Sequence, residues 1–65
     1  MKQFILEVRN GGKLIILSDG TKYKVSDFDA FYTALWMVLD NVSVERFKMT
    51  NHNRRDKPVD VQQVF

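Results

Sequence analysis

Two turn-forming dipeptides, Asn10-Gly11 and Asp19-Gly20, divide the first part of the chain into short segments. Tight hairpin turns need positive φ at their central residues, and Gly, Asn and Asp adopt that conformation at the lowest cost. The residues around each dipeptide are mainly apolar and β-branched, as is typical of strands. We therefore expect a three-stranded antiparallel meander with strands over residues 3–9, 13–18 and 21–25.

Alternation along these strands predicts which side chains face the core. The expected inward set is Phe4, Leu6, Val8, Leu14, Ile16, Tyr23 and Val25. The opposite face then carries Ile5, Ile15 and Leu17 among charged residues, so the central strand is apolar on both sides. A single covering layer would leave one of these faces in need of a partner.

A helix is expected over residues 27–40, because Ser26 precedes acidic residues that suit a helix N-terminus. On a helical wheel one face is apolar and would cover the sheet, and it consists of Phe28, Phe31, Tyr32, Leu35 and Leu39. The opposite side carries Ala30, Ala34 and Met37. Since this helix is apolar nearly all round, its outer face also indicates a partner.

The remaining residues complete the expected fold. Residues 43–50 have strand character, residues 51–57 form a polar loop, and residues 58–61 are either a short fifth strand or a disordered end. The predicted fold class is α+β: a three-stranded antiparallel meander, one helix packed on the sheet and a returning strand. These elements form a single domain over residues 1–50, followed by a polar basic loop and a C-terminal tail over residues 51–65.

Composition limits the chemistry. The chain has 65 residues, no Cys and a single His, so neither a disulfide nor a Cys/His zinc site is expected. Asp27 and Asp29 would point about 200° apart on a helix and cannot share an ion. His52 is interpreted as a solvated loop residue, so we expect no enzyme, no metal and no cofactor. The apolar run at the N-terminus is too short for a signal peptide or a membrane span, which favours a cytoplasmic protein without membrane contact.

The surplus of apolar residues favours a protein-interaction module. The expected partner-binding residues are Phe28, Asp29, Tyr32, Trp36 and Met37. The expected dimer or apolar surface comprises Ala30, Ala34, Met37, Ile15 and Leu17. A homodimer is slightly favoured over a host protein as the partner, because two-fold pairing is the commonest solution. Alternatively, the tail covers the second sheet face with Val59, Val61, Val64 and Phe65.

A basic loop leaves nucleic-acid binding as the alternative function. Arg54, Arg55 and Lys57 lie close together and supply donors for phosphate. Against this alternative, Asp56 dilutes the charge. No aromatic platform is expected on that side either, because Tyr23, Tyr32 and Phe47 are interpreted as core residues.

Residues 19–32 carry a resemblance to a known family. The residues concerned are Asp19, Gly20, Tyr23, Ser26, Asp27, Phe28, Asp29 and Tyr32. This segment resembles the strand, turn and helix start of the small phage-encoded inhibitors of uracil-DNA glycosylase. The resemblance implies a dimeric sheet-and-helix protein that mimics DNA, with Phe28 in an apolar pocket of the enzyme and Asp29 as its acidic neighbour. Independently of this resemblance, the small size, the absence of catalytic groups and the surplus apolar surface fit a phage-type accessory protein that binds and inhibits or redirects a host protein in the host cytoplasm.

Overall fold

The structure, a computed structural model, describes residues 2–54 and 57–64. These residues form a closed antiparallel β-barrel of six strands in the order β1-β2-β3-β6-β5-β4. The strands are β1 (Lys2–Arg9), β2 (Leu14–Leu17), β3 (Lys22–Val25), β4 (Asn41–Glu45), β5 (Lys48–Asn51) and β6 (Val59–Val64). The helical part consists of a short turn over Asn10–Gly12 and of α1 (Ala30–Thr33). No described helix has the length and apolar character needed to cross a lipid bilayer.

The barrel consists of two consecutive meanders, β1-β2-β3 and β4-β5-β6. They are joined edge to edge by the antiparallel pairs β1–β4 and β3–β6. Because all neighbours are antiparallel, the β1–β2, β3–β4 and β5–β6 connections share one end of the barrel, which we call the connection end. The β2–β3 and β4–β5 turns lie at the opposite end, the turn end.

The expected α+β fold with a helix packed on a sheet is wrong. Residues 27–40 contain only the four-residue α1, and the rest of this segment is turn and irregular backbone. The physical reason is that β4, β5 and β6 close the sheet on itself, so no open sheet face remains for a helix to cover. The segment is also rich in aromatic and β-branched residues, which are only moderate helix formers.

The three strands of the expected meander are present, but the inward faces of β1 and β2 were assigned wrongly. Ile5, Ile15 and Leu17 are fully buried, whereas Phe4 and Leu6 are exposed. The reason in β1 is a β-bulge. Ile5 pairs with Leu17, but Glu7 pairs with Ile16, so Leu6 is an extra residue in β1. The extra residue in β1 changes the alternation and cannot be read from composition.

The interior of the barrel is a single apolar cluster. It contains Ile5, Ile15, Leu17, Val25, Trp36, Val42, Met49, Val59 and Val61. Val59 and Val61 lie on β6, so the tail is a strand and buries Ile15 and Leu17, as the alternative interpretation predicted. Val64 is exposed, and Phe65 lies outside the described residues.

Candidate functional site

The β3–β4 connection, residues 26–40, carries an unusual density of exposed apolar side chains. Seven large apolar residues in its span are at least 44% exposed: Phe28, Phe31, Tyr32, Leu35, Met37, Val38 and Leu39. We call the segment that carries them, residues 26–40, the apolar connection. Phe28 is the most exposed of them, at 91%. Soluble monomers rarely leave so much apolar surface together in water, so this surface is the main candidate site.

Three inward residues hold the connection on the barrel. Ala30, Thr33 and Trp36 are buried, and Trp36 belongs to the barrel core. The hydroxyl of Thr33 donates a hydrogen bond to the carbonyl oxygen of Gly12 at 2.5 Å. These three residues are spaced as on one face of a helix, so their neighbours are turned outward. The same local periodicity that buries the anchors therefore exposes Phe31.

The start of the connection is bonded to β6. The backbone N–H of Ser26 donates to the carbonyl of Asp60 at 3.1 Å, and the N–H of Asp60 donates to Oδ2 of Asp29 at 2.9 Å. The hydroxyl of Ser26 also accepts a hydrogen bond from the N–H of Phe28 at 3.3 Å. Asp29 is half-buried and links the start of the connection to β6, while Phe28 is highly exposed.

The end of the connection is strained. Leu39 has a φ of 77°, and its N–H donates to the carbonyl of Ile5 at 2.8 Å. A bulky residue rarely adopts positive φ, and such strain clusters at functional sites. The Leu39 side chain is nevertheless 67% exposed, so the strain does not serve to bury it. This combination supports a role for Leu39 in binding.

Asp40 joins the connection to the β5–β6 loop. Its Oδ2 accepts hydrogen bonds from the N–H of Met37 at 3.0 Å, from Nδ2 of Asn51 at 3.0 Å and from Nε of Arg54 at 3.3 Å. Partial burial by itself would raise the pKa of Asp40, but these bonds and the Arg54 charge outweigh it and lower the pKa. The carboxylate is therefore a fixed anionic link between two loops.

This network changes the view of the basic loop. Arg54 is ion-paired to Asp40 and half-buried, so it is engaged within the barrel. Lys57 is exposed, and the predicted contact residue Arg55 lies outside the described residues. Of the two predicted phosphate-binding residues that the structure describes, Arg54 is therefore held by Asp40, and Lys57 is left exposed.

His52 of the same loop forms a pair with Ser43 of β4 that sequence reasoning missed. Oγ of Ser43 and Nε2 of His52 are 2.8 Å apart, and the N–H of His52 donates to the carbonyl of Asn41 at 2.7 Å. Nucleophilic catalysis also needs a group that orients the histidine. Within residues 2–54 and 57–64, no carboxylate is hydrogen-bonded to the imidazole. The described residues also contain no group of three or more side chains that could hold a metal ion.

The remaining predicted site residues divide by burial. Met37, Tyr32 and Ala34 are exposed and lie on the connection, as a binding surface requires. Trp36 was wrongly predicted to contact a partner, because it is part of the core. Ala30, Ile15 and Leu17 were wrongly placed on an outer apolar surface. The closed barrel has one interior and takes up both strand residues, while Ala30 is an anchor of α1.

No family model matches the chain, and no curated protein or solved structure matches it either. Function is therefore inferred from the chemistry of the surfaces.

Proposed function

We propose that the chain is a small protein-binding module that uses the apolar connection to fill an apolar pocket on a partner protein. The observation that carries this proposal is the exposure of seven large apolar side chains within residues 28–39. Aromatic residues dominate the energetics of most protein interfaces, and Phe28 and Phe31 are the most exposed members of the set. Their backbone is held by buried anchors, so little conformational entropy is lost on binding.

Charge defines the chemistry of the partner. Residues 26–41 contain Asp27, Asp29 and Asp40 but neither Lys nor Arg. Asp27 is highly exposed beside Phe28, and its nearest cation is Lys13 at 3.9 Å. A complementary surface is therefore an apolar pocket bordered by Lys or Arg. Asp40 is ion-paired with Arg54, so Asp27 and Asp29 carry the negative charge of the connection. A second copy of the chain would add the same negative charges and no Lys or Arg from this segment, which favours a different protein over the homodimer.

Matched variants test this proposal. Phe31 and Phe47 are 76% and 72% exposed, but Phe31 belongs to the connection and Phe47 lies at the β4–β5 turn. Wild type, Phe31→Ala and Phe47→Ala are used as baits in one lysate, and a specifically retained protein is then purified and titrated against each. The expected result is affinity that falls more than about tenfold for Phe31→Ala alone.

Equal retention of the same proteins by all three baits would contradict the proposal. Light scattering on the pure chain tests the homodimer. A dimer that dissociates with Phe31→Ala but persists with Phe47→Ala would assign the connection to self-association instead of to a different protein.

The resemblance of residues 19–32 suggests one specific candidate partner, uracil-DNA glycosylase. The observation that favours it is the 91% exposure of Phe28 next to acidic residues, the arrangement that the resemblance implies for a side chain inserted into the enzyme. The test is inhibition of a purified bacterial glycosylase on uracil-containing DNA. Inhibition by wild type and its loss with Phe28→Ala are expected. Absence of inhibition by wild type removes this candidate but leaves the binding surface to the bait experiment.

A further inference from the structure

Phe47 is exposed in the β4–β5 turn, where its carbonyl accepts a hydrogen bond from the N–H of Val61 and its side chain shares a groove with the first residues of the β3–β4 connection. It occupies the two-residue turn between β4 and β5, between Arg46 and Lys48, and it is 72% exposed. The alternation of Phe47 with Met49 predicts a core position, but the turn begins before Phe47 and directs its ring outward. An aromatic platform is therefore present where the sequence indicated none.

Two open grooves adjoin this turn. One, of about 400 Å³, lies over a floor of Val25 and Val61, and the residues around it are Phe47, Lys24, Gln62, Ser26, Asp27 and Asp60. The other, of about 560 Å³, runs along the outer face of the β4–β5 hairpin. Its lining includes Arg46, Lys48 and Lys57 and the hydroxyl residues Ser43 and Thr50.

The cations around Phe47 are mostly unpaired. Lys48 forms an ion pair with Asp60, which raises the pKa of Lys48, chiefly through their hydrogen bond. In contrast, Lys24, Arg46 and Lys57 form no ion pair with any described residue. Glu45 is the acidic residue that lines the second groove, and it lies opposite Lys48 in the register of the β4–β5 hairpin without an ion pair to it. The residues that line the two grooves carry four positive charges, on Lys24, Arg46, Lys48 and Lys57, and three negative charges, on Asp27, Glu45 and Asp60. The positive excess therefore lies in the second groove.

Arg46 also has a backbone conformation that a different residue would adopt more easily. Its φ is 58°, in the region that favours Gly, Asn and Asp. Residues with a strained backbone cluster at functional sites, where the role of the side chain outweighs the cost of the conformation. A strained arginine next to an exposed phenylalanine is consistent with selection for binding at the turn.

We propose that the turn end binds single-stranded nucleic acid, with one base stacked on Phe47 and the flanking phosphates on Arg46, Lys24 and Lys57. Single-strand binders combine a positive groove with an aromatic face on which bases stack. A protruding ring stacks on an unpaired base without disrupting other contacts, whereas the bases of a duplex are already stacked on each other and would have to be separated at a cost of a few kcal/mol. The first groove borders the start of the apolar connection, but Phe47 and Arg46 do not belong to it, so variants at Phe47 and at Phe31 distinguish this site from the protein-binding surface.

The experiment is fluorescence anisotropy with a labelled oligo(dT) strand of about fifteen nucleotides, beginning at low salt. Phe47→Ala is expected to weaken binding about 5- to 100-fold. Phe31→Ala, the equally exposed control, is expected to leave it unchanged. Three phosphate contacts predict that the logarithm of the association constant falls with the logarithm of salt concentration with a slope of about −2.

A second variant separates binding from stability. Arg46→Asn removes the charge and relieves the positive φ, so it is expected to raise the unfolding midpoint while it weakens binding and reduces the salt slope by about 0.7. A residue with only a structural role in the turn would not move these two quantities in opposite directions.

Several outcomes would overturn the proposal. They are no binding of oligo(dT) at low salt, equal losses for Phe47→Ala and Phe31→Ala, and equal affinity for single strands and duplex DNA. Binding of polyglutamate as tight as that of oligo(dT) would assign the surface to an acidic protein instead.

Discussion

The side-chain hydroxyl of Thr33 donates a hydrogen bond to the backbone carbonyl of Gly12, and this contact fixes the apolar connection to the turn between β1 and β2. Gly12 is buried and has a φ of 92°. A Cβ at this position would lie 2.4 Å from the N atom of Ala34 and 2.7 Å from the carbonyl oxygen of Ala30. Only glycine lets α1 approach this closely, so the exposure of the apolar connection depends on one residue outside it.

Substitution of Gly12 is therefore expected to displace α1. Gly12→Ala should reduce the free energy of unfolding by at least about 3 kcal/mol, because backbone atoms of α1 cannot move away cheaply. Gly11→Ala is the matched control, since Gly11 also has positive φ, at 65°, but nothing lies within 4 Å of a Cβ there. It should cost only about 1 kcal/mol. Denaturant unfolding followed by Trp36 fluorescence measures both, and equal losses would contradict the steric argument.

The hydroxyl of Thr33 makes a separate contribution. Thr33→Val keeps the shape of the side chain but leaves the buried carbonyl of Gly12 without this donor, which should cost about 1–3 kcal/mol. Thr50→Val, on the outer face of β5, is expected to change stability by less than about 0.5 kcal/mol. Thermal melts of the two variants provide the comparison. A neutral Thr33→Val would show that packing alone fixes α1.

The Asp40 network predicts loss of stability in acid. Its pKa is lower in the folded state than the value of about 3.9 in unfolded chains. The ionised group therefore stabilises the fold above about pH 4, and this contribution is lost as the pH falls through the folded pKa. Asp19 acts in the same direction, because the hydroxyl and N–H of Thr21 lower its pKa.

Asp40→Asn tests this prediction. The variant should be about 1–2 kcal/mol less stable than wild type at pH 7, because charge-assisted bonds are lost, and this difference should shrink towards pH 3. Asp27→Asn, at an exposed carboxylate, should stay within about 0.5 kcal/mol of wild type at pH 7. Urea unfolding at a series of pH values measures these differences. A constant gap between wild type and Asp40→Asn would contradict the assignment.

A substitution at Leu39 tests whether its strained backbone is retained because its side chain binds a partner. Leu39→Asn should raise the free energy of unfolding by about 0.5–1 kcal/mol, because Asn tolerates positive φ, and should weaken binding of the partner identified by the bait experiment. Val38→Asn is the neighbouring control and should weaken binding without a gain in stability, because Val38 does not have positive φ. If Leu39→Asn leaves affinity unchanged, Leu39 does not contact the partner.

Local signals in the sequence predicted the first meander but not the barrel. The Asp19-Gly20 turn is present, with Gly20 at a φ of 87° and Asp19 bonded to Thr21. In contrast, Asn10-Gly11 belongs to a longer left-handed turn that ends at Gly12. The need for Gly12 arises from contact with residues about twenty positions away, and no local pattern encodes such a contact.

The candidate site was also predicted only in part, again because local patterns do not encode contacts between distant residues. The density of apolar residues after Ser26 indicated more apolar surface than the fold could bury, and Met37 is exposed as expected. The face expected to cover the sheet was assigned wrongly, because its members are exposed as well: Phe28, Phe31, Tyr32, Leu35 and Leu39. Helical periodicity over fourteen residues then misassigned Trp36, because the helix ends after one turn. Phe47 was missed because the alternation of Phe47 with Met49 continues through a turn that only strand pairing reveals.

Closure of the barrel decides how the chain behaves at high concentration. A sheet with an open edge can recruit further chains by backbone hydrogen bonding and grow into fibrils. Here the ladder returns to its first strand, and contact between molecules is left to side chains. A protein with an exposed apolar loop and no free strand edge should therefore form clusters that disperse on dilution, and it should not form amyloid fibrils.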